Sequence, residues 1–268
     1  MRLYITSHFF SPILTFLLFC MASGTALGRP TILLDPGHGG SNLGAYGPSI
    51  RQYEKKLNLE LALQVKGHLQ SMMPSAKVFL TRASDVYLSL QQRVAIANEL
   101  KVDMFVSIHL NASENRSQHG FETYILSLGA TDKEAARLAM SENHEAPIDF
   151  TAKTGISTPK DSKKEALRVG ILGNIVRDLE LSATHADSRR FAQTIQLGLR
   201  SFWGKEKDRG VRQAGFDVLR GIMMPGVLVE VGFIDHPMES LTFSNLESMT
   251  ALSQSLADGI LQFWRESQ

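Results

Sequence analysis

The chain has 268 residues, of which 43% are hydrophobic and 21% are charged, and its formal net charge is +1. This balance describes a globular protein that can bury one large core, and it does not indicate binding to nucleic acid. The only cysteine is Cys20. Disulfides, a cysteine nucleophile and thiolate metal sites are therefore excluded beyond that position, and any metal must bind to histidine, aspartate or glutamate.

The first 28 residues predict a secretory signal peptide. Arg2 gives a weakly positive start, residues 13–21 are apolar, and residues 22–28 are mostly small. The apolar part is too short to favour a membrane span, although a retained anchor is the alternative. We therefore expect an exported, periplasmic protein with no membrane span after signal cleavage.

The rest of the chain alternates between strand-like and helical segments. Strands are predicted over residues 31–35, 77–81, 104–108, 120–126 and 227–233. Several of these are apolar throughout, as strands covered on both faces are. Apolar residues recur at helical spacing in residues 54–69, 90–100 and 249–264. This order predicts a single α/β domain over residues 29–268, with an open, twisted, mostly parallel sheet flanked by helices.

Residues 131–202 interrupt this alternation and predict an insertion that is part loop and part helix. Residues 146–164 are polar and rich in turn residues, and loops of this length are usually functional or disordered. Thr131 and Glu134 have the spacing of a capping box, which predicts a helix start. The following apolar face consists of Ala135, Leu138 and Ala139.

A histidine stands in a glycine-rich loop, LLDPGHGGSNLGA, after the first predicted strand. Phosphate binding is disfavoured because Asn42 takes the place of the third glycine in G-x-G-x-x-G. His38 alone has little meaning, since a lone histidine is commonly structural. His109 ends another strand and Glu54 opens the first helix, so all three can meet beyond the carboxyl ends of the strands. Two histidines and one carboxylate form the ligand set of a hydrolytic zinc site.

Glu230 lies inside the otherwise apolar segment GVLVEVGFI. Burial there would raise the pKa of its carboxyl group, which suits a residue that accepts and returns a proton during hydrolysis. The alternative is a structural glutamate paired with a cation, for which Arg82 and Lys55 are candidates.

Four segments in order, TILLDPGHGG, YEKKLNLELA, FVSIHLNAS and GVLVEVGFI, resemble the signature blocks of the zinc-dependent N-acetylmuramoyl-L-alanine amidases. The resemblance spans residues 30–265. It implies a peptidoglycan or muropeptide substrate, in which the bond between N-acetylmuramic acid and L-alanine is cut during cell-wall remodelling and cell separation. It also implies that Glu230 is the catalytic acid/base and that Zn²⁺ is bound by His38, Glu54 and His109.

One departure from the family pattern follows the fourth segment. Asp235 and His236 stand in FIDHPMES, where the family more usually has serine and asparagine, so substrate contacts at this place are in question. A catalytically silent peptidoglycan-binding regulator is a competing function. The presence of every metal ligand and of the acid argues against it.

The sequence of the insertion suggests a second enzymatic hypothesis. SEN at residues 141–143, KTG at 153–155 and STPK at 157–160 match elements of the penicillin-binding serine enzymes, although in a permuted order. Short patterns of this kind also arise by chance in loops rich in serine and lysine. The hypothesis is a penicillin-sensitive D-alanyl carboxypeptidase activity with Ser157 as nucleophile and Lys160 as its base.

Glu142 and Asn143 end the helix predicted in the insertion, and this segment resembles an inserted helix of the cell-separation amidases. In those proteins a glutamate occludes the zinc until an activator binds, so the resemblance implies an autoinhibitory role for Glu142. The alternative is a solvated side chain near a helix end. An activator protein would then dock at the insertion, where an apolar stripe with a spacing of four is formed by Leu167, Ile171, Ile175 and Leu179.

Overall fold

The computed structural model describes residues 28–144 and 171–268, with side chains given from residue 184 onward in the second range. Residues 1–27 of the predicted signal peptide therefore lie outside the described residues. So do Ser157, Lys160 and the whole polar part of the predicted insertion, residues 146–164. Within the described ranges, no helix combines the length and the apolar character needed to cross a membrane.

The described chain folds as one sheet with helices on both of its faces. Its strands are β1 (Thr31–Pro36), β2 (Tyr46–Gly47), β3 (Gln52–Tyr53), β4 (Lys77–Leu80), β5 (Met104–Asn111), β6 (Phe121–Leu126), β7 (Asp208–Ala214) and β8 (Gly226–Phe233). Its helices are α1 (Glu54–Met72), α2 (Leu90–Leu100), α3 (Lys133–Glu142), α4 (Ile171–Trp203), α5 (Ser240–Ser244) and α6 (Leu246–Glu266).

The main sheet has the order β4-β1-β5-β8-β6-β7, and β2 pairs with β3 in a separate small hairpin. Strands β4, β1, β5 and β8 run parallel to one another. Strand β6 is antiparallel to β8 and parallel to β7. The prediction of an open, mostly parallel sheet flanked by helices is confirmed.

Alternating side chains of the central strands belong to two hydrophobic clusters, one on each face of the sheet. In β1, Ile32 and Leu34 pack against α1, α4 and α6, whereas Leu33 packs on the opposite face with α2 and α3. This is why the central strands are mostly apolar, since both faces of each strand are covered. The sheet is therefore a well-packed layer, and side chains at its carboxyl edge can form a site.

Strand β7 was not predicted from the sequence. Its residues, DRGVRQA, are mostly polar and only partly buried, and it forms one edge of the sheet. Edge strands commonly carry charged residues, which removes the apolar pattern that reveals a central strand. The arginines of this polar edge contact α3.

Helix α3 is present where the sequence predicted it, but the predicted capping box is wrong. The N-cap is Asp132, whose carboxylate accepts a 2.9 Å hydrogen bond from the backbone N–H of Ala135. The Thr131 hydroxyl instead accepts a bond from the backbone N–H of Gln213 in β7. Aspartate is a good N-cap residue, so the change moves the helix start by one position.

Candidate metal centre and catalytic cleft

The loop after β1 is clamped by two buried arginines. Arg82 donates to the carbonyl oxygens of Pro36 and Gly37, at 2.9 and 2.8 Å. Arg93 donates to the carbonyl oxygen of His38 at 2.7 Å and forms an ion pair with Asp35 at 2.6 Å. The loop is thus fixed through its own backbone, and His38 is held with a positive φ of 59°.

This arrangement excludes the cation pairing that was considered for Glu230. Arg82 is committed to backbone carbonyls, including that of Lys55. The Lys55 ammonium contacts Asp85 at 2.7 Å and the carbonyl oxygen of Gly40 at 2.8 Å. Neither candidate cation therefore neutralises Glu230, and the sequence analysis missed the role of Arg82 and Arg93 in holding this loop.

Glu54 begins α1 and is buried, with 2% of its surface exposed. One carboxylate oxygen, Oε2, accepts a bond from the backbone N–H of Ala45, and the other, Oε1, accepts bonds from the Asn58 amide and the backbone N–H of Leu110. These donors come from the loop, from α1 and from β5. They orient both oxygens toward the two histidines.

His38 and His109 meet edge to face, with ring centroids 4.9 Å apart. Two glycines permit this approach: a Cβ at Gly37 would lie 2.3 Å from the His109 ring, and one at Gly44 would lie 2.6 Å from both His38 and Glu54. The glycines of the loop therefore make room for the side chains of the site. This answers why a histidine stands among so many small residues.

The donor atoms of His38, Glu54 and His109 lie within 4.8 Å of one another, a spacing that can hold a metal ion. His38 Nε2 is 2.9 Å from Glu54 Oε2, and His109 Nδ1 is 3.2 Å from Glu54 Oε1. On its other side, His38 Nδ1 faces Asn42 Oδ1 at 3.0 Å. A proton on Nδ1 would be donated to Asn42 and would leave the Nε2 lone pair free for a metal.

The electrostatics of the three residues favour positive charge at their meeting point. Burial lowers the pKa of His38, but the Glu54 and Glu142 carboxylates outweigh it and hold that pKa above its ordinary value. Burial also lowers the pKa of His109. The Glu142 and Glu54 carboxylates outweigh this effect and hold the pKa of His109 well above its ordinary value. A bound cation would supply the charge that these carboxylates attract.

Glu230 lies beside His109 across β5 and β8 and opposite Glu122 across β8 and β6. Its exposed fraction is 1%, and neither of its side-chain oxygens hydrogen-bonds to a described residue. Burial raises the pKa of the Glu230 carboxyl well above its ordinary value. A carboxyl group with a raised pKa is better able to accept a proton and pass it to a neighbouring group.

Glu142, at the carboxyl end of α3, also reaches the histidines. Its Oε2 lies 3.4 Å from His38 Nε2 and 3.1 Å from His109 Nδ1. Asn143 fixes this end of the helix by donating to the carbonyl of Gly215 and accepting from the backbone N–H of Asp217. The structure therefore places the sequence-predicted residue Glu142 against the metal-ligand set.

These residues open into a cleft of about 820 Å³. The wall on one side is the loop after β1, and α3 contributes the other through Glu134, Arg137 and Glu142. Arg137 bridges the cleft to Glu114, in the segment after β5, at 2.9 Å. Helix α3 therefore forms one wall and part of the roof of the site.

Asp235 and His236 have structural roles. Asp235 accepts bonds from the backbone N–H and the hydroxyl of Ser113, and so anchors the segment that follows β5. His236 Nδ1 accepts from the backbone N–H groups of Met238 and Glu239. The departure from the family pattern is thus explained by local packing of two loops.

A charged network that the sequence analysis missed lies beside Glu230. Glu122 is fully buried and accepts bonds from Arg209 and Arg212 of β7, at 3.0 and 2.7 Å. The same two arginines contact Glu134 of α3, at 2.8 and 3.3 Å. The network connects the centre of the sheet to α3.

The second enzymatic hypothesis cannot be placed in this site. Ser157 and Lys160 lie outside the described residues, and Glu142, which belongs to the SEN pattern, contacts the two histidines. The D-alanyl carboxypeptidase activity therefore stays a prediction.

Two histidines and a glutamate at one edge of a mostly parallel α/β sheet, with a buried glutamic acid beside them, define the class of metal-dependent hydrolases. The chain belongs to the N-acetylmuramoyl-L-alanine amidase family, whose pattern matches residues 32–262.

Known relatives agree with this membership. The chain is 32% identical over 236 residues to the amidase AmiC of Neisseria meningitidis, covering 88% of this chain and 53% of that protein. It is 30% identical over 244 residues to AmiA of Escherichia coli, covering 90% and 79% of the two chains. The amidase structure from Clostridium difficile 630 superposes with a TM-score of 0.64 at 27% identity, covering 90% and 99%. The chain spans about half the length of the AmiC relatives that it matches.

Proposed function

We propose that this protein is a zinc-dependent amidase that hydrolyses the bond between N-acetylmuramic acid and L-alanine in peptidoglycan. Family membership supports this activity. The observation that carries the proposal is the meeting of His38, Glu54 and His109 within 4.8 Å, beside buried Glu230. A metal-ligand set with a proton carrier beside it provides the groups that metal-assisted amide hydrolysis needs.

The residues fit a zinc ion by the chemistry of their donor atoms. The set contains two imidazole nitrogens and one carboxylate, which is a common ligand set of catalytic zinc. His38 Nε2 is buried and makes no hydrogen bond to a described residue, as expected of an atom reserved for a metal. Asn42 and the donors around Glu54 supply the outer hydrogen bonds that orient such ligands.

Zn²⁺ bound at these three residues would supply a Lewis acid that polarises the scissile carbonyl and activates water. Glu230 would take the proton from the attacking water and return it to the leaving amine of L-alanine, since burial raises the pKa of its carboxyl group and so favours uptake of a proton. Asn42 holds the His38 ring, and Arg82 and Arg93 hold the loop that carries it.

The cellular setting of this reaction follows from the substrate. Peptidoglycan lies outside the inner membrane, and the apolar start of the chain has the pattern of an export signal. We therefore propose a periplasmic enzyme of cell-wall remodelling and cell separation.

The decisive experiment is mass spectrometry of peptidoglycan fragments after digestion, with and without a zinc chelator. Release of intact stem peptides that begin with L-alanine, stopped by the chelator and restored by added zinc, is the expected result. Full activity in zinc-free protein would refute the metal assignment. Release of D-alanine in place of the stem peptide would instead support the carboxypeptidase hypothesis.

Glu142 supports a restrained state of this enzyme. Its Oε2 contacts both histidine nitrogens, so Glu142 would compete with water and substrate for a metal held by these residues. We propose that α3 inhibits the enzyme in this position and that activity requires α3 to move.

A restrained enzyme needs a partner that releases it, so we propose an activator protein that docks at the insertion. Of the predicted apolar stripe, Leu167 lies outside the described residues, and Ile171, Ile175 and Leu179 lie in the first part of α4. Their spacing of four along the sequence is the basis of the predicted stripe. Pull-down with a chain in which these three residues are changed to serine would test the stripe as the docking surface.

A further inference from the structure

Two arginines of β7 bind acidic side chains of α3 at the wall of the cleft. Arg209 Nη2 lies 2.8 Å from Glu134 Oε1 and 3.1 Å from Gln118 Oε1, and both partners line the cleft. Arg212 contacts the other Glu134 oxygen at 3.3 Å and also pairs with Asp132. One carboxylate of α3 therefore bridges two guanidinium groups.

The net charge of this cluster depends on the position of α3. With α3 in place, Arg209 and Arg212 face three carboxylates, those of Glu122, Glu134 and Asp132. Glu122 belongs to the sheet and is fully buried, whereas the other two belong to the start of α3. If α3 moves away, two arginines remain against one carboxylate, and the cluster behind the cleft wall gains a net positive charge.

We propose that Arg209 and Arg212 form a carboxylate-binding subsite that takes an acidic group of the stem peptide. Glu134 and Asp132 occupy this subsite as internal competitors while α3 is in place. Glu134 presents one carboxylate oxygen to each arginine, and a guanidinium group can bind a carboxylate through two parallel hydrogen bonds. The inference rests on the proposed amidase function, because that function supplies the acidic peptide.

A purely structural role for the arginines makes a different prediction. Glu122 needs to be neutralised in the core, and Arg212, with a side chain only 9% exposed, lies closest to it. Arg209 is 23% exposed and shares its Nη2 with two groups of the cleft wall. Arg209 is thus the more exposed member of the pair, and it lies directly behind two residues that line the cleft, Gln118 and Glu134.

The test is equilibrium binding by calorimetry to the full chain. The probes are a stem tripeptide with free carboxylates and the same tripeptide with its carboxylates amidated. Glu134→Gln removes the competitor, so it should bind the free acid about tenfold more tightly than the parent. Adding Arg209→Ala to Glu134→Gln should weaken that binding by about 10- to 100-fold and leave the amidated peptide unaffected.

Two further variants separate recognition from folding. Arg190→Ala, which removes an exposed ion pair with Asp187 on α4, is the matched control and should not change either affinity. If Arg209→Ala does not fold, Arg209→Lys keeps a cation beside Glu122 but lacks the fork, so it should still lose most of the preference for the free acid.

Equal affinity for the free and the amidated peptide in Glu134→Gln would overturn the subsite. An equal loss for both peptides in the Arg209 variants would also overturn it, because it would show general damage. Turnover of muropeptides by the same preparations separates the subsite proposal from the amidase proposal. Discrimination between the peptides without hydrolysis would keep the subsite and refute the amidase, and hydrolysis without discrimination would do the reverse.

Discussion

The metal centre and helix α3 meet in one cleft, but they are held by different kinds of contact. Glu54 accepts three hydrogen bonds from three parts of the fold, and buried arginines clamp the loop of His38. Helix α3 buries mainly two alanines, Ala135 and Ala139. Alanine buries little apolar area, so the ion pairs of α3 carry much of its attachment.

The centre is thus held by buried contacts, whereas α3 is held by more exposed contacts that are easier to break. The buried hydrogen bonds of the centre have no competitor once water is excluded. The ion pairs of α3 are partly exposed, as at Arg137 and Glu114, where each pair contributes about 0–1 kcal/mol and is screened by salt. The contrast predicts large losses from changes in the centre and gains of activity from changes in α3.

The largest effect is expected from loss of a metal ligand. His38→Ala or His109→Ala should lose bound zinc and reduce turnover by more than about 1,000-fold, because the remaining ligands leave the site incomplete. Metal analysis and muropeptide turnover on the same sample provide the measurement. His68→Ala is the control, since His68 lies 14 positions beyond Glu54 on α1, roughly 21 Å along the helix. Retained zinc and activity in both ligand variants would contradict the assignment.

Glu230→Gln should keep zinc but lower turnover by about 100- to 10,000-fold, because the amide preserves the shape and cannot carry the proton. Zinc content and thermal melting should match those of the parent. A rate near that of the parent would return Glu230 to a structural role.

The clamp beneath the loop should affect stability as well as activity. Asp35→Asn leaves Arg93 buried without its ion-pair partner, which should cost about 3–5 kcal/mol of unfolding free energy. Denaturant unfolding would measure this change. Replacing Arg137 by alanine breaks an exposed pair and should cost less than about 1 kcal/mol. Equal costs for the two variants would remove the contrast between the regions.

The same pair predicts a pH dependence. Burial raises the pKa of Asp35, but Arg93 and the bonds from Thr81 and Ser107 outweigh it, so the folded-state pKa lies below the ordinary 3.8. A lowered pKa stabilises the fold above the unfolded-state value, and this contribution is lost as the pH falls below about 3.8. The unfolding free energy of the parent should therefore fall more steeply in that range than that of Asp35→Asn.

The smallest effect is a gain. Glu142→Ala should raise the rate on intact peptidoglycan by about tenfold without a partner protein and leave zinc content unchanged, since coupling energies of this kind are modest. Met140→Ala changes an exposed residue of the same helix and should not raise the rate. A rate equal to or below that of the parent, also after deletion of residues 146–164, would count against autoinhibition.

The sequence predicted the centre of the sheet and the ligand residues because each carries a local signal. Apolar runs mark covered strands, and His38 among glycines marks a loop with special backbone geometry. Strand β7 has no such signal, since it is a polar edge. The arginine clamps were missed because Arg82 and Arg93 find their partners 45 or more positions away along the chain.

The start of α3 illustrates a finer limit. Thr131 and Asp132 are both good N-cap residues, and local pattern alone cannot choose between them. The choice depends on β7, where Gln213 engages the threonine hydroxyl and Arg212 pairs with the aspartate. A tertiary contact thus decides a local feature.

Both ends of α3 are anchored to the same short stretch of chain, β7 and the residues just after it, through Asp132 and Asn143. Displacement of α3 must therefore break these contacts and change the distance between α3 and the sheet. The described chain contains no cysteine, so introduced thiols would be unique sites for spin labels. Labels at exposed Met140 on α3 and exposed Leu246 on α6 would report this distance directly in solution.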